Sequence, residues 1–151
     1  MRTVKRLSPG ICRRRRGAAA VELAMILPVL MTIVLGCVDF GRFAYNYIAV
    51  TNAARAGAAY GIMNNYSPTT LAAWKAGIGQ AARDEMEQQT GYSSSNLVVT
   101  VPNPVADANN FRSVKVTASY PFTTIVNWNW PLLRIPSSFD LARGVEMRLV
   151  R

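Results

Sequence analysis

The sequence RRRRGAAAVELAMILPVLMTIVLGCV, residues 13–38, joins four arginines and a glycine to a 21-residue segment in which Glu22 is the only charged side chain. At about 1.5 Å per residue, a helix over residues 18–38 is just long enough to cross a hydrocarbon core of roughly 30 Å. A carboxylate in such a segment is costly to place in lipid, so Glu22 requires a functional reason. The stretch predicts one transmembrane helix.

Most of the net charge of +9 lies ahead of this segment. Residues 1–17 hold seven of the 17 basic side chains and no acidic one, which leaves ten basic against eight acidic side chains in the remainder. By the positive-inside rule, this asymmetry predicts a cytoplasmic N-terminus and translocation of the rest of the chain. Because the excess charge belongs to a leader, nucleic acid is not an expected partner.

The composition also excludes several kinds of chemistry. The chain has no histidine, which rules out imidazole catalysis and histidine-liganded metal sites. Its two cysteines, Cys12 and Cys37, lie in the leader and near the far end of the apolar segment, so no disulfide is expected in the exported part. No nucleophile stands beside an activating base. We therefore expect a non-enzymatic protein without cofactor, metal or small-molecule substrate.

Apolar spacing predicts a first helix from Ala18 through the membrane to the turn at Asn64 and Asn65. Pro28 lies inside it and either kinks the helix or is tolerated, as in many membrane helices. Small residues at 52–59 allow close packing, either on the chain's own head or on a neighbouring subunit. The apolar stripe on which a soluble head is expected to dock comprises Phe40, Phe43, Tyr47, Thr51, Ala54 and Ala58.

A second helix is predicted over residues 69–89. Ser67 is a candidate N-cap, Pro68 suits the first helical position, and Gly91 is a stop signal. The side chains expected on its buried face are Leu71, Trp74, Ile78, Ala81 or Ala82, and Met86.

Three runs read as strands, at residues 97–101, 113–120 and 141–150, and they predict a small antiparallel sheet with one wet face. The loop at residues 121–138 contains Trp128 and Trp130 and either covers the sheet, enters the outer leaflet or contacts a partner. The predicted fold class is α+β, with a long N-terminal transmembrane helix continuing into a second helix that packs on a small three-stranded antiparallel sheet.

One string of residues carries a specific likeness. Residues 15–24, RRGAAAVELA, are followed by an apolar helix and then by Asp39-Phe-Gly-Arg42, Tyr45 and residues 51–57, TNAARAG. This pattern resembles the TadE-like family, which comprises minor pilins or pseudopilins of the tight-adherence (Flp-type) pilus system. The likeness extends over roughly residues 15–61, and the rest agrees only in general layout.

The resemblance implies that an aspartyl prepilin peptidase cuts between Gly17 and Ala18, so that Glu22 becomes the fifth residue of the mature chain. In related pilins a glutamate there pairs with the N-terminal amine of a neighbouring subunit during assembly. The alternative is that Glu22 lies near the interface and snorkels toward water. Leu23 stands where the major pilins have tyrosine, which favours a minor pilin.

This interpretation divides the chain into a cleaved cytoplasmic leader (1–17), a transmembrane helix (18–38), a helical extension (39–66) and a periplasmic head (67–151). The expected protein is a single-pass inner-membrane subunit that takes part in assembly and adhesion and that moves to a surface pilus if it is incorporated. Its expected partners are the peptidase, other pilins, the assembly platform and membrane lipid.

A competing interpretation uses residues 34–37, VLGC, which resemble a lipoprotein cleavage box with Cys37 as the lipidated first residue. The apolar segment is long for a signal peptide, and Glu22 lies inside it. In this case the protein would be a membrane-anchored or lipoprotein-type envelope binding module that uses its tryptophan-rich loop.

Overall fold

The computed structural model describes residues 13–89, 91–106, 112–127, 129–130, 133–134 and 136–149, with the backbone alone at 13–16, 105–106, 129–130 and 133–134. Within it the chain forms two compact units, Met1–Val38 and Asp39–Arg151. The first helix, α1, covers Arg13–Met63 and so contributes to both units.

In the first unit, α1 is continuous through Pro28, so this proline does not end the helix. The hydroxyl of Thr32 donates a 2.8 Å hydrogen bond to the Pro28 carbonyl. The helix is long and apolar enough to cross a membrane, and none of its most apolar window is buried within the molecule. This agrees with the predicted transmembrane segment.

The predicted start of α1 at Ala18 is wrong by five residues. The described helix already includes residues 13–17, because arginine is a good helix former and a single glycine is tolerated in a helix. Residues 1–12 of the predicted leader lie outside the described part of the chain.

In the second unit, α1 ends at Met63 and α2 covers Leu71–Glu87. The indole N–H of Trp74, on α2, donates to the carbonyls of Gly61 at 3.2 Å and Asn64 at 3.1 Å. These bonds satisfy carbonyls at the end of α1 that have no partner within the helix. They therefore fix the corner between the two helices.

The start of α2 differs from the prediction by two residues. The Ser67 hydroxyl accepts a 3.3 Å bond from the Thr70 backbone N–H, and the Thr70 hydroxyl accepts a 2.8 Å bond from the Ser67 N–H. This reciprocal pattern is that of a capping box, formed in the turn just ahead of the helix. At the other end α2 stops at Glu87, and Gly91 takes the left-handed conformation, with φ +89°.

The second unit contains an antiparallel sheet of β1 (Val98–Thr100), β2 (Val105–Ala106), β3 (Arg112–Thr123) and β6 (Ser138–Arg148), and a separate hairpin of β4 (Asn129–Trp130) and β5 (Leu133–Arg134). β3 is central. β6 pairs with it from Ser113↔Arg148 to Thr123↔Ser138, and β1 and β2 follow one another along its other side. The sheet is thus three strands wide, as predicted.

The predicted loop at residues 121–138 is wrong at both ends, because β3 continues to Thr123 and β6 begins at Ser138. Proline is rare in a central strand because it lacks an N–H. Pro121, however, lies beyond Ser119, the last residue paired with β1. In an antiparallel ladder, successive residues direct their backbone groups to opposite sides, and residue 121 faces the side of β3 on which β1 pairs. Since β1 does not reach residue 121, the missing N–H of Pro121 costs no hydrogen bond between strands. Trp128 and the side chain of Trp130 lie outside the description.

The core lies between α1, α2 and the sheet. Small residues of α1 are fully buried, so residues 52–59 pack on the chain's own head. This was one of the two predicted alternatives, the other being packing on a neighbouring subunit. Gly57 illustrates the close approach, because a Cβ built there would lie 3.1 Å from the Ile78 carbonyl oxygen and 3.3 Å from Val116.

The buried faces of α1 and α2 agree with the predicted apolar positions at most residues. Ala54 and Ala58 of the predicted stripe are buried, but Phe40 is 70% exposed because the inward face at that level is taken by Asp39 and Phe43. On α2 the buried side chains are Trp74, Ile78, Ala82 and Met86, as predicted.

Candidate functional site

The predicted processing site lies on one uninterrupted stretch of α1. Ala18 and Glu22 are four residues apart, so their side chains share a helix face one turn from each other. Gly17 has open space around it, since a Cβ built there would meet nothing within 4 Å. Packing among the described residues therefore gives no reason for a glycine at this position.

Glu22 is exposed and makes no hydrogen bond or ion pair with any residue that the structure describes. Cys37, the predicted alternative lipidation site, is also exposed and carries a free thiol. The two are 15 residues apart, or about 22 Å along a helix, so the structure does not bring them together. Any partner for the Glu22 carboxylate has to come from outside the described part of the chain.

A second constellation, which the sequence analysis did not single out, surrounds Asp39. This side chain is only 6% exposed. Its carboxylate accepts hydrogen bonds from the backbone N–H groups of Ile125, at 2.9 Å, and Val126, at 3.3 Å. The Arg42 guanidinium lies 3.5 Å from the same carboxylate and donates to the Thr123 carbonyl at 3.2 Å.

These contacts tie the first residue of the second unit to the end of β3. A buried carboxylate is tolerated when hydrogen bonds and a nearby cation replace its water shell, and Asp39 has both. Its sequence signal was an acid and a base three residues apart, directly after the apolar segment, in the Asp39-Phe-Gly-Arg42 string. Asp39 therefore holds the loop after β3 against α1.

An aromatic groove lies beside this network. Tyr92 contacts Tyr45 and Tyr120, with ring centroids 5.7 and 5.6 Å apart, and the space they line with Arg42 and Phe122 has a volume of about 260 Å³. Burial, followed by the charges that Tyr45 and Tyr120 would carry, raises the pKa of Tyr92 to about 12. At neutral pH Tyr92 is therefore a neutral phenol that can donate a hydrogen bond but cannot act as a base.

No cluster of three or more potential metal ligands occurs among the described residues. In the same part of the chain, every buried side-chain nitrogen or oxygen has a hydrogen-bond partner. The described residues thus form an apolar helix that carries the exposed acid Glu22, followed by an α+β head whose buried polar side-chain atoms have hydrogen-bond partners.

One apolar N-terminal helix followed by such a head fits a membrane-anchored, single-pass protein. Residues 17–59 match the family model described as TadE-like protein, which confirms the resemblance inferred from the sequence over that region and relates the chain to the tight-adherence pilus. The match includes Gly17, Glu22, Asp39 and Arg42 and covers less than a third of the chain. No curated protein and no solved structure matches this sequence.

Proposed function

We propose that this chain is a non-enzymatic minor pilin or pseudopilin that takes part in assembly of a tight-adherence pilus after a prepilin peptidase cleaves it between Gly17 and Ala18. The observation that carries the proposal is the position of Glu22, exposed, without a partner in the described chain, and one helical turn from Ala18. The family match over residues 17–59 supports it.

Cleavage at this bond would place a free amine at the start of the helix, four residues before Glu22. Within one chain the amine and the Glu22 carboxylate lie on the same face of the helix. The backbone N–H groups of the first helical turn also attract this carboxylate. In lipid an unpaired carboxylate is unfavourable, so an ammonium group from a second subunit stabilises it strongly. Association of two helices is then coupled to neutralisation of Glu22.

The packing around Gly17 supports a role in recognition by the peptidase. A residue that the fold requires to be glycine would have a neighbour where its Cβ would lie, whereas Gly17 has none. The bond after Gly17 lies within a helix, so hydrolysis requires local unwinding, which glycine favours because it lowers helix stability by about 1 kcal/mol relative to alanine.

In this proposal residues 1–17 are a cytoplasmic leader, residues 18–38 cross the inner membrane, residues 39–66 extend the helix, and residues 67–151 form a periplasmic head. Its partners are the peptidase, other pilins and the assembly platform, and membrane lipid surrounds residues 18–38. The role is structural, because pairing of helices rather than turnover of a substrate is the proposed event.

A lipoprotein-type binding module is a second candidate, supported by the exposure of Cys37 two residues before the second unit begins. Intact-mass analysis of the protein purified from its native membrane distinguishes the two. A chain beginning at Ala18 supports the pilin proposal, and one beginning at an acylated Cys37 supports the lipoprotein. Recovery of the uncut leader overturns both processing schemes.

A further inference from the structure

The strand β6 forms an edge of the sheet in the second unit. It is eleven residues long, and among the described residues only β3 pairs with it. Its polar and charged side chains are exposed, including Asp140, Arg143, Glu146 and Arg148. A long edge of this kind presents a row of backbone donors and acceptors that another strand can use.

The ladder fixes which backbone groups of β6 face outward. The N–H of Leu149 donates to the Arg112 carbonyl at 2.7 Å, and continuing the register beyond Ser113↔Arg148 makes these two residues opposite. In an antiparallel pair the hydrogen-bonded positions alternate, so the odd-numbered residues of β6 bond to β3. The even-numbered residues, Ser138 to Arg148, therefore direct their N–H and C=O groups toward the free edge.

We propose that this edge pairs in antiparallel fashion with β6 of a second copy of this chain, with Gly144 of each copy on the two-fold axis. In this register Asp140 of one copy lies opposite Arg148 of the other, twice by symmetry. The inference goes beyond the proposed function and does not depend on leader cleavage.

Charge favours this register over full overlap of the two strands. Full overlap of the two strands would place Arg143 opposite itself and Asp140 opposite Glu146, giving only like-charge contacts between the charged pairs. Moving the axis by one residue, to Gly144, replaces them with two Asp140–Arg148 pairs and sets Glu146 opposite Ala142. Directly opposed charges of opposite sign stabilise strand pairs, and like charges destabilise them.

The opposite face of the strand is also compatible with this register. Leu141 would lie across from Met147, and Val145 from the aliphatic part of Arg143. Leu141 is buried and Met147 and Val145 are half-buried against the core of their own copy. Pairing would therefore extend the apolar face of each sheet across the axis.

Cysteine crosslinking of the full-length protein tests the register directly. In a background with Cys12→Ser and Cys37→Ser, Gly144→Cys should give a disulfide-linked dimer, since hydrogen-bonded opposite residues have Cα atoms about 5.5 Å apart, within disulfide range. Ala142→Cys is the matched control on the same face. Its two copies would be more than about 13 Å apart. Equal crosslinking of the two variants, or none by Gly144→Cys, overturns the proposal.

A charge exchange provides a second test, by light scattering of the full-length protein in detergent. Asp140→Arg alone and Arg148→Asp alone should each weaken dimerisation at least about tenfold, because each places like charges opposite one another twice. The double variant should dimerise as the wild type does, and the two single variants should pair with each other when mixed. Failure of both rescues, or a wild-type protein that is monomeric, overturns the proposal. If either single variant unfolds, the crosslinking comparison decides.

Discussion

Asp39 accepts a 2.9 Å hydrogen bond from the backbone N–H of Ile125, 86 residues away in the sequence. Asp39 is the first residue after the apolar segment, and Ile125 follows the end of β3. One buried carboxylate thus holds the loop after β3 against the start of the helical part of the second unit.

Removing this carboxylate should destabilise the second unit. Asp39→Ala leaves two backbone N–H groups without their acceptor and removes the carboxylate beside Arg42, and loss of a partner to a buried polar group costs about 1–3 kcal/mol. We expect a lower thermal midpoint of the full-length protein in detergent, measured by circular dichroism.

Arg42→Ala is the matched control for Asp39→Ala. The Arg42 side chain is 42% exposed and its contact with Asp39 is long, so its loss should cost less than about 1 kcal/mol. Asp39→Asn should fall between the two, because an amide oxygen retains one acceptor. An Asp39→Ala variant as stable as the wild type would contradict this account of the loop.

The contact between the two helices at Gly77 gives a prediction about packing. A Cβ built on Gly77 would lie 2.5 Å from the Tyr60 ring. Overpacking of about 1–3 kcal/mol, offset by a helix-propensity gain of up to about 1 kcal/mol, should make Gly77→Ala destabilising by up to about 2 kcal/mol. The same change at Gly79, where the nearest atom is the end of the flexible Arg83 side chain at 3.4 Å, should stabilise by up to about 1 kcal/mol through helix propensity.

Chemical denaturation of the two glycine variants measures the difference in the free energy of unfolding. Adding Tyr60→Leu to Gly77→Ala should recover part of the lost stability, since a smaller side chain makes room for the new methyl group. Equal stability of Gly77→Ala and Gly79→Ala would show that α1 and α2 do not meet through Gly77.

Titration of Tyr92 predicts a pH dependence. Its pKa is raised from 10.0 to about 12, first by burial and then by Tyr45 and Tyr120. The folded state therefore holds the Tyr92 proton more tightly than the unfolded state. The contribution of Tyr92 to the free energy of unfolding should be fully present below pH 10 and be lost as the pH rises from 10 toward about 12. Phenolate absorbance should show a titration step near pH 12, and Tyr92→Phe should remove that step. A wild-type protein without this late step would contradict the groove geometry.

Much of the architecture followed from local patterns in the sequence. Apolar residues at three- and four-residue steps predicted α2 and its buried Trp74 and Ile78, and strict alternation predicted the centre of β3. Such patterns indicate which face of a helix or strand is buried, and this periodicity is the strongest sequence signal of secondary structure.

The features that were missed depend on distant parts of the chain. Pro121 argued for a loop, yet it is compatible with β3 because the facing strand has already ended at Val98↔Ser119. The role of Asp39 depends on the arrival of Ile125 and Val126 from 86 and 87 residues away. The periodicity of apolar residues does not predict a contact between residues so far apart in the sequence. The acid beside Arg42 signalled only that a charged pair follows the apolar segment.

Substitutions at Glu22 and Gly17 should separate assembly from processing. Glu22→Ala should leave cleavage largely intact but impair piliation, because it removes the acid proposed to meet a neighbouring amine. Gly17→Val should block cleavage while leaving the fold unchanged, since nothing lies within 4 Å of a Cβ at that position. Mass analysis reports cleavage, and electron microscopy with adhesion assays reports assembly.

Two controls make the Glu22 and Gly17 experiments decisive. Glu22→Asp keeps the charge on a shorter side chain and should assemble better than Glu22→Ala if pairing with an amine is what matters. Gly41→Val is the control for Gly17→Val, because Gly41 also has nothing within 4 Å of a Cβ but lies beyond the apolar segment. It should be processed normally. Normal pili in Glu22→Ala cells would remove the pairing mechanism, and normal processing of Gly17→Val would remove the cleavage site, so each part of the proposal can fail by itself.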